Sequence, residues 1–171
     1  MSKRDLKKYL TELNKDQLEE QILELYDKFA NVKVYYDFVF NPNEKKLVQD
    51  AKLKISNEYF PVGKKRAKLR RSVSQKYIKH YILLGVDSFI IADLMFYAIE
   101  IAQTYTSEKT IKQELFYKSM LNSFQQAISF MIEKNILYEF QYRANTIRDI
   151  TILQNWSNNY EFNAILERLE Y

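Results

Sequence analysis

Two glycines and two prolines are all that this chain of 171 residues contains, and this scarcity constrains its fold more than any other feature. Average proteins contain about 7% Gly and about 5% Pro. Tight hairpin turns depend on Gly, Asn-Gly and Pro, because these residues accept the backbone angles that such turns need. A chain so poor in both residues is predicted to consist of long helices with few sharp connections. We therefore expect an all-α fold.

The overall composition indicates one helical domain that spans residues 1–171. Hydrophobic residues make up 47% of the chain, which is ample for a buried core. The chain has no cysteine, so disulfides and thiolate metal sites are excluded. Its first residues are charged and no apolar run follows them, and Asp87, Asp93 and Glu100 interrupt its most apolar region. We expect no membrane span and a cytoplasmic location.

Capping residues and apolar spacing predict the first helices. Ser2 is positioned to cap a helix over residues 3–12, and Asn14, with Gln17 three positions later, to cap the next. Residues 32–40 are β-branched and aromatic, so they fit a strand or a helix, and their helical surroundings favour a helix. Asn41-Pro42-Asn43 and Phe60-Pro61-Val62-Gly63 are the predicted breaks on either side of a helix that ends at Tyr59.

The charge of the chain is concentrated in one basic segment. Residues 64–79 hold eight Lys or Arg and no acid, whereas the rest of the chain holds 18 basic and 22 acidic residues. If this segment begins a helix that ends near Gly85, six of its cations fall within an arc of about 140° on a helical wheel. Those six are Lys64, Lys65, Lys68, Arg71, Lys76 and Lys79. Such an arc indicates a surface that meets an acidic partner.

The second half of the chain is predicted to build the core. A helix from Phe89 to about Tyr105, capped by Asp87 or Ser88, is apolar nearly all round and is expected at the centre. Further helices are expected from Thr110, over residues 137–156 and over residues 160–170. The fold class is thus an all-α helical bundle, or a short array of helix pairs, with seven to eight helices.

The motifs of several enzyme classes are absent. Gly63 and Gly85 lie 22 residues apart, so no phosphate-binding glycine loop or nucleophile elbow is present. A zinc protease helix needs two histidines, and this chain has only His80. His80 is a weak candidate for a general base, but no partner set is visible for it.

Two carboxylates on the central helix are the other weak catalytic candidates. Asp93 and Glu100 are seven residues apart, so they share one face of that helix. They are suited to acid–base chemistry if their pKa values diverge. The interpretation we favour is structural, with ion pairs to Arg66, Arg70 or Arg143, because buried carboxylates need partners.

Several short strings of the chain resemble those of one protein family. They are Lys3-Arg4-Asp5-Leu6-Lys7-Lys8-Tyr9-Leu10, Glu58-Tyr59-Phe60-Pro61, Arg70-Arg71-Ser72-Val73 and Lys79-His80-Tyr81. In these the chain resembles a family of small bacterial all-helical proteins known only as a domain of unknown function. The resemblance covers most of the chain and implies no activity, cofactor or catalytic residue.

These observations lead to three hypotheses about function. The first is a non-enzymatic interaction protein whose basic segment, residues 64–79, meets an acidic protein surface. The second is a protein that binds nucleic acid without sequence specificity, because the same cations suit phosphates. The third is an enzyme that uses Asp93, Glu100 and His80. No cofactor or metal is expected, and a monomer is favoured over a homo-oligomer.

Overall fold

The computed structural model describes residues 2–63 and 65–168 of the chain. All regular secondary structure in these ranges is helical, which confirms the predicted fold class. This described part contains nine helices, one more than the upper limit of the prediction. They are α1 (Lys3–Thr11), α2 (Lys15–Lys28), α3 (Ala30–Phe40), α4 (Glu44–Tyr59), α5 (Arg71–Leu84), α6 (Ser88–Glu108), α7 (Glu114–Glu133), α8 (Leu137–Leu153) and α9 (Asn159–Glu167).

Contacts along the backbone divide the chain into two compact units, Met1–Asn43 and Glu44–Tyr171. We refer to them as the N-terminal unit and the C-terminal unit. The boundary coincides with the predicted break at Asn41-Pro42-Asn43. The single-domain prediction stays a prediction, because compactness alone does not decide whether two units unfold together.

The predicted caps of the N-terminal unit are confirmed. The Ser2 hydroxyl accepts a hydrogen bond from the Asp5 N–H at 3.2 Å, and the Asp5 carboxylate accepts one from the Ser2 N–H at 2.9 Å. Asn14 and Gln17 make the same reciprocal pair at the start of α2. Each pair satisfies backbone donors that a helix leaves unpaired at its N-terminus.

Residues 32–40 are helical, as the sequence favoured, but they belong to a separate helix. Phe29 has φ −121° and ψ 110°, an extended conformation that ends α2 and precedes α3. This interruption adds a helix, which explains why the predicted count was too low.

The N-terminal unit has few buried contacts of its own. Among residues 2–43, none is buried, and eleven large apolar side chains, from Leu6 to Phe40, are exposed. The Tyr26 hydroxyl donates to Asp37 Oδ1 at 3.0 Å, and the Tyr36 ring lies 6.5 Å from the Tyr26 ring. Polar and aromatic contacts of this kind join α2 to α3.

The core of the C-terminal unit surrounds α6. This helix packs against α4, α5, α7 and α8, and its Leu94, Phe96, Ile99 and Ala102 side chains are fully buried. The Asp87 carboxylate accepts the N–H of Phe89 at 2.9 Å and caps the helix. The prediction of a central helix is confirmed. One helix surrounded by four others is a bundle, whereas helices in a repeat array contact mainly their sequence neighbours.

The last three helices share an aromatic cluster. Trp156, between α8 and α9, is 2% exposed and contacts Phe116, Tyr117 and Phe162, with ring centroids 5.4 to 6.0 Å apart. The helix boundaries here differ modestly from those predicted. The helix expected from Thr110 begins at Glu114, the next ends at Leu153, and α9 ends at Glu167. Residues 169–170, which the prediction assigned to the last helix, lie outside the described residues.

The predicted start of the basic helix was wrong. Residues 65–70 have no regular secondary structure and α5 begins at Arg71; Lys64 lies outside the described residues. A helix here would set cations such as Arg66 and Arg70 at a spacing of four, where like charges repel. Leu69 instead has a positive φ of 54°, which ends any helical path before Arg71.

Within the described part of the chain, no helix has the length and apolarity that a membrane crossing requires.

Candidate functional site

The candidate site is built on the basic loop, which we define as the described residues 60–63 and 65–70 between α4 and α5. Gly63, with φ 77°, helps to turn the chain after α4. The N–H groups of Lys68 and Leu69 then donate to the Glu58 carbonyl at 2.9 and 3.1 Å. The loop therefore returns to the end of the helix it left, and these bonds satisfy a carbonyl that α4 leaves unpaired.

An ion pair reinforces the same attachment. Arg70 donates from Nε and Nη2 to the two carboxylate oxygens of Glu58 at 2.8 and 2.7 Å. These hydrogen bonds lower the pKa of the Glu58 carboxyl and raise the pKa of the Arg70 guanidinium. Glu58 is only 9% exposed, so the pair holds a buried carboxylate in its ionised form. Arg70 therefore stabilises the loop by attaching its end to α4.

Arg71 is turned toward α7. It donates from Nε to Ser123 Oγ at 2.6 Å and from Nη2 to Gln126 Oε1 at 2.8 Å, both of them neutral acceptors. Burial lowers the pKa of its guanidinium. The sequence grouped Arg71 with the exposed cations, yet its head group is hydrogen-bonded inside the C-terminal unit.

The other cations of the segment face solvent. Lys65, Arg66 and Lys68 on the loop, and Lys76 and Lys79 on α5, are all exposed. Within residues 2–63 and 65–168, none of these five has a carboxylate oxygen within 4.0 Å. An exposed cluster of unpaired like charges is costly to the fold by itself, and an anion relieves that cost.

Two adjoining cavities lie against the basic loop. Among the described residues, the wall of the larger, of about 620 Å³, contains three cations, Lys65, Arg66 and Lys109, and no acidic residue. The smaller, of about 250 Å³, shares Pro61, Lys65 and Arg66 with it and adds Lys68. Glu58, the one acidic residue that the described ranges contribute to its wall, is already bound by Arg70. The larger volume lies within the range of small-ligand sites.

Aromatic rings line the larger cavity beside the cations. The Tyr105 ring, on α6, lies 6.0 Å from the Tyr59 ring and 5.7 Å from the Phe60 ring, in both cases edge to face. The Lys109 ammonium lies 5.0 Å from the centroid of Tyr105. Burial raises the pKa of the Tyr59 hydroxyl, so this side chain stays neutral. Phe60 and Tyr105 remain partly exposed.

Asp93 and Glu100 lie in a separate ion-pair network. Arg143 of α8 donates two hydrogen bonds to the Glu100 carboxylate, at 2.5 and 2.7 Å, and one to Asp93 Oδ1 at 2.6 Å. Lys52 of α4 contacts Asp93 Oδ2 at 2.6 Å. Arg143 is one of the three arginines that the sequence offered as partners.

The charges of this network balance. Burial alone would raise the pKa of Asp93, but hydrogen bonds from Lys52 and Arg143 outweigh burial and lower it. The Glu100 hydrogen bond in turn raises the pKa of Arg143. Two cations and two carboxylates thus join α4, α6 and α8, an arrangement that satisfies partly buried charges.

His80 lies apart from these carboxylates. It is exposed on α5, and its ring centroid lies 6.0 Å from that of Tyr81. Although all three residues lie in the described ranges, no hydrogen bond or ion pair joins His80 to Asp93 or Glu100. The structure therefore does not bring the three catalytic candidates together.

Sequence reasoning missed Tyr105, Lys109 and the role of Glu58. Tyr105 and Lys109 come from the end of α6, and they reach the loop because α6 packs on α4. No local pattern links them to a loop that ends 35 residues before Tyr105. The one available signal was a lysine four positions after Tyr105, where the predicted helix was expected to end, because this spacing places two residues on one face if the helix continues.

Comparisons with known proteins identify a family and no activity. Searches of the curated proteins and of the solved structures found no match. A family profile matches residues 1–170 and carries the description "family of unknown function". This confirms the resemblance to a domain of unknown function that the sequence strings indicated. The chain belongs to the family of unknown function DUF6155.

Proposed function

We propose that this protein is a non-enzymatic binding protein that holds an anionic partner on the basic loop. The observation that carries the proposal is the larger cavity, where the described part of the chain contributes Lys65, Arg66 and Lys109 to the wall and no acidic residue. Lys68 adds a fourth cation beside it. Cations gathered in a concave surface concentrate their field and attract anions more strongly than the same charges spread over a flat one.

The attachment of the loop supports the same proposal. Arg70 and the Lys68 and Leu69 N–H groups fix the loop to Glu58, so the exposed cations sit on an ordered segment. A binding segment that is already ordered loses less conformational entropy when its partner arrives. Arg70 is thus engaged in holding the loop in place, whereas Lys65, Arg66 and Lys68 are available to bind the partner.

A catalytic function has less support. General acid–base catalysis needs a group positioned to exchange a proton with the substrate. Asp93 and Glu100 are engaged with Arg143 and Lys52, and His80 has no contact with either. We therefore rank the enzyme hypothesis below binding.

Binding to defined polyanions tests the proposal. The probes are polyglutamate and oligothymidylate, measured by fluorescence anisotropy at low and high salt. Native protein is expected to bind at least one of them at low salt, and Lys65→Glu/Arg66→Glu to weaken that binding about tenfold or more. The matched control is Lys45→Glu/Lys118→Glu, which changes the net charge equally at exposed positions outside both cavities.

The control variant is expected to bind nearly as well as the native chain. An equal loss in both variants would mean that net charge alone attracts the probes, and the site would be refuted. Absence of binding to either probe at low salt would refute it as well. Circular dichroism of each variant checks that the helices are intact.

A further inference from the structure

Resting on the proposed function, we infer that the anionic partner is a single-stranded nucleic acid. Its phosphates bind Lys65, Arg66 and Lys109, and one of its bases packs against the Tyr105 ring. The juxtaposition that carries this inference is the wall of the larger cavity, where three cations and partly exposed aromatic rings line one volume of about 620 Å³.

The rings distinguish a nucleic acid from an acidic protein. A peptide of glutamates alone binds cations through its carboxylates and has no planar ring to stack on a neighbouring aromatic side chain. A nucleotide brings a planar base within a few ångströms of its phosphate, and stacking on aromatic side chains is the usual basis of sequence-tolerant binding. Here the Lys109 ammonium lies over one face of the Tyr105 ring, 5.0 Å from its centroid, so a phosphate bound to Lys109 would hold its nucleotide next to that ring.

The rings are also held in place before any ligand arrives. Tyr59 is 3% exposed and contacts the Tyr105 ring edge to face, and Phe60 contacts it from the loop. Because burial raises the pKa of the Tyr59 hydroxyl, Tyr59 adds no negative charge beside the phosphates. The aromatic surface therefore needs little rearrangement to accept a base.

The shape of the site favours a single strand over a duplex. In a duplex each base is stacked on both faces, so its faces cannot enter a side cavity without unpairing. A single strand is flexible and its bases are free to turn inward. The adjoining cavity, which shares Lys65 and Arg66 and adds Lys68, gives the strand a cationic path onward from the first nucleotide.

The test compares three probes on the full chain by fluorescence anisotropy. They are oligothymidylate, the same strand paired with oligoadenylate, and polyglutamate of equal charge. Oligothymidylate is expected to bind most tightly, with a salt slope of about −0.7 for each phosphate neutralised. Three to four cations then predict a slope of roughly −2 to −3.

Variants of Tyr105 distinguish the contribution of base stacking to the binding affinity from the contribution of charge. Tyr105→Leu keeps an apolar side chain against Tyr59 and Phe60 and removes the ring. It is expected to weaken oligothymidylate binding about fivefold or more and to leave polyglutamate binding unchanged. Tyr105→Trp restores an aromatic face and is expected to recover the affinity for oligothymidylate.

Each outcome decides the inference. Equal affinity for polyglutamate and oligothymidylate, with no effect of Tyr105→Leu, would overturn it in favour of an acidic protein partner and leave the proposed function standing. Duplex bound as tightly as the single strand would overturn it as well. If none of the three probes binds, the proposed function itself is refuted.

Discussion

Glu58 is the residue on which the basic loop depends. Its carbonyl accepts the N–H groups of Lys68 and Leu69, and its carboxylate accepts two hydrogen bonds from Arg70. The loop begins two residues after Glu58 in sequence, so the bonds to this one residue hold the end of the loop close to its start. Protonation of this carboxyl removes the ion pair and leaves only the two backbone bonds.

This arrangement predicts a pH dependence of stability. The Arg70 hydrogen bonds lower the pKa of Glu58, so folding favours the ionised form. That contribution is fully present above the ordinary glutamate pKa of about 4.3, and it is lost as the pH falls through the lower folded pKa. Glu58→Gln is therefore expected to lower the thermal midpoint at neutral pH, and to lower it progressively less below about pH 4.

The matched control is Glu139→Gln, at an exposed position of α8 that has no ion pair among the described residues. Its thermal midpoint is expected to stay close to that of the native chain at every pH. A Glu58→Gln deficit that is the same in acid as at neutral pH would contradict the role assigned to the ion pair.

At the scale of elements, three helices end in the same way. Gly85, Asn135 and Asn155 follow α5, α7 and α8 with φ values of 74°, 55° and 51°. The next residue in each case is buried, and its N–H donates back to a carbonyl in the last turn at 2.9 to 3.1 Å. This is the hydrogen-bond pattern of the Schellman motif, which satisfies free carbonyls and turns an apolar residue inward. Those apolar residues are Val86, Ile136 and Trp156.

The motif at Gly85 predicts a ranking of substitutions. A Cβ at this position would meet nothing within 4 Å, so any cost is conformational and not a clash. Gly85→Ala is expected to lower the free energy of unfolding by about 1 kcal/mol, because non-glycine residues resist a positive φ. Gly85→Asn is expected to cost less, since Asn tolerates this conformation.

Urea unfolding of the two variants beside the native chain measures both values. Equal losses for Ala and Asn would contradict the conformational explanation. A loss well above 1 kcal/mol for both would point to an effect on the packing of Val86.

Local features of the elements could be predicted from sequence, and nonlocal ones could not. Ser2, Asn14 and Asp87 cap helices through residues two or three positions away, so their spacing alone identifies them. The end of α5 was likewise visible in Gly85. The central, buried position of α6 could be predicted because apolar residues occupy nearly every face of this helix.

The basic loop was misjudged because distant contacts determine it. A helical wheel assumes a helix, but Lys68 and Leu69 bond to Glu58, ten and eleven positions earlier, and that path excludes a helix over residues 65–70. Tyr105 and Lys109 join the loop only through the packing of α6 on α4. The six predicted partner-binding residues were chosen by their charge and their place on a helical wheel, and neither separated Arg71 from its exposed neighbours.

At the scale of the whole molecule, the core belongs to one unit. Every buried residue that the structure describes lies between Ala51 and Leu166, in the C-terminal unit. Apolar burial is the main stabilising contribution to folding. A shortened chain of residues 44–171 is therefore expected to unfold cooperatively, with a thermal midpoint close to that of the full chain, as measured by circular dichroism.

The isolated segment 1–43 is expected to be largely unfolded, because short helices without a buried face are marginal in water. Loss of cooperative unfolding in residues 44–171 would contradict this division and support a single domain. Because the basic loop lies in the C-terminal unit, the shortened chain is also expected to retain the binding properties of that loop.

The buried position of Trp156 gives the molecule an optical reporter of its own. It is the only tryptophan, and its indole contacts Phe116, Tyr117 and Phe162 away from water. Its fluorescence will shift to longer wavelength when the junction of α7, α8 and α9 opens, and not when the N-terminal helices alone melt. Since the chain has no cysteine, one introduced cysteine accepts a dye at any chosen place. Energy transfer from Trp156 to that dye then measures distances between the two units in solution.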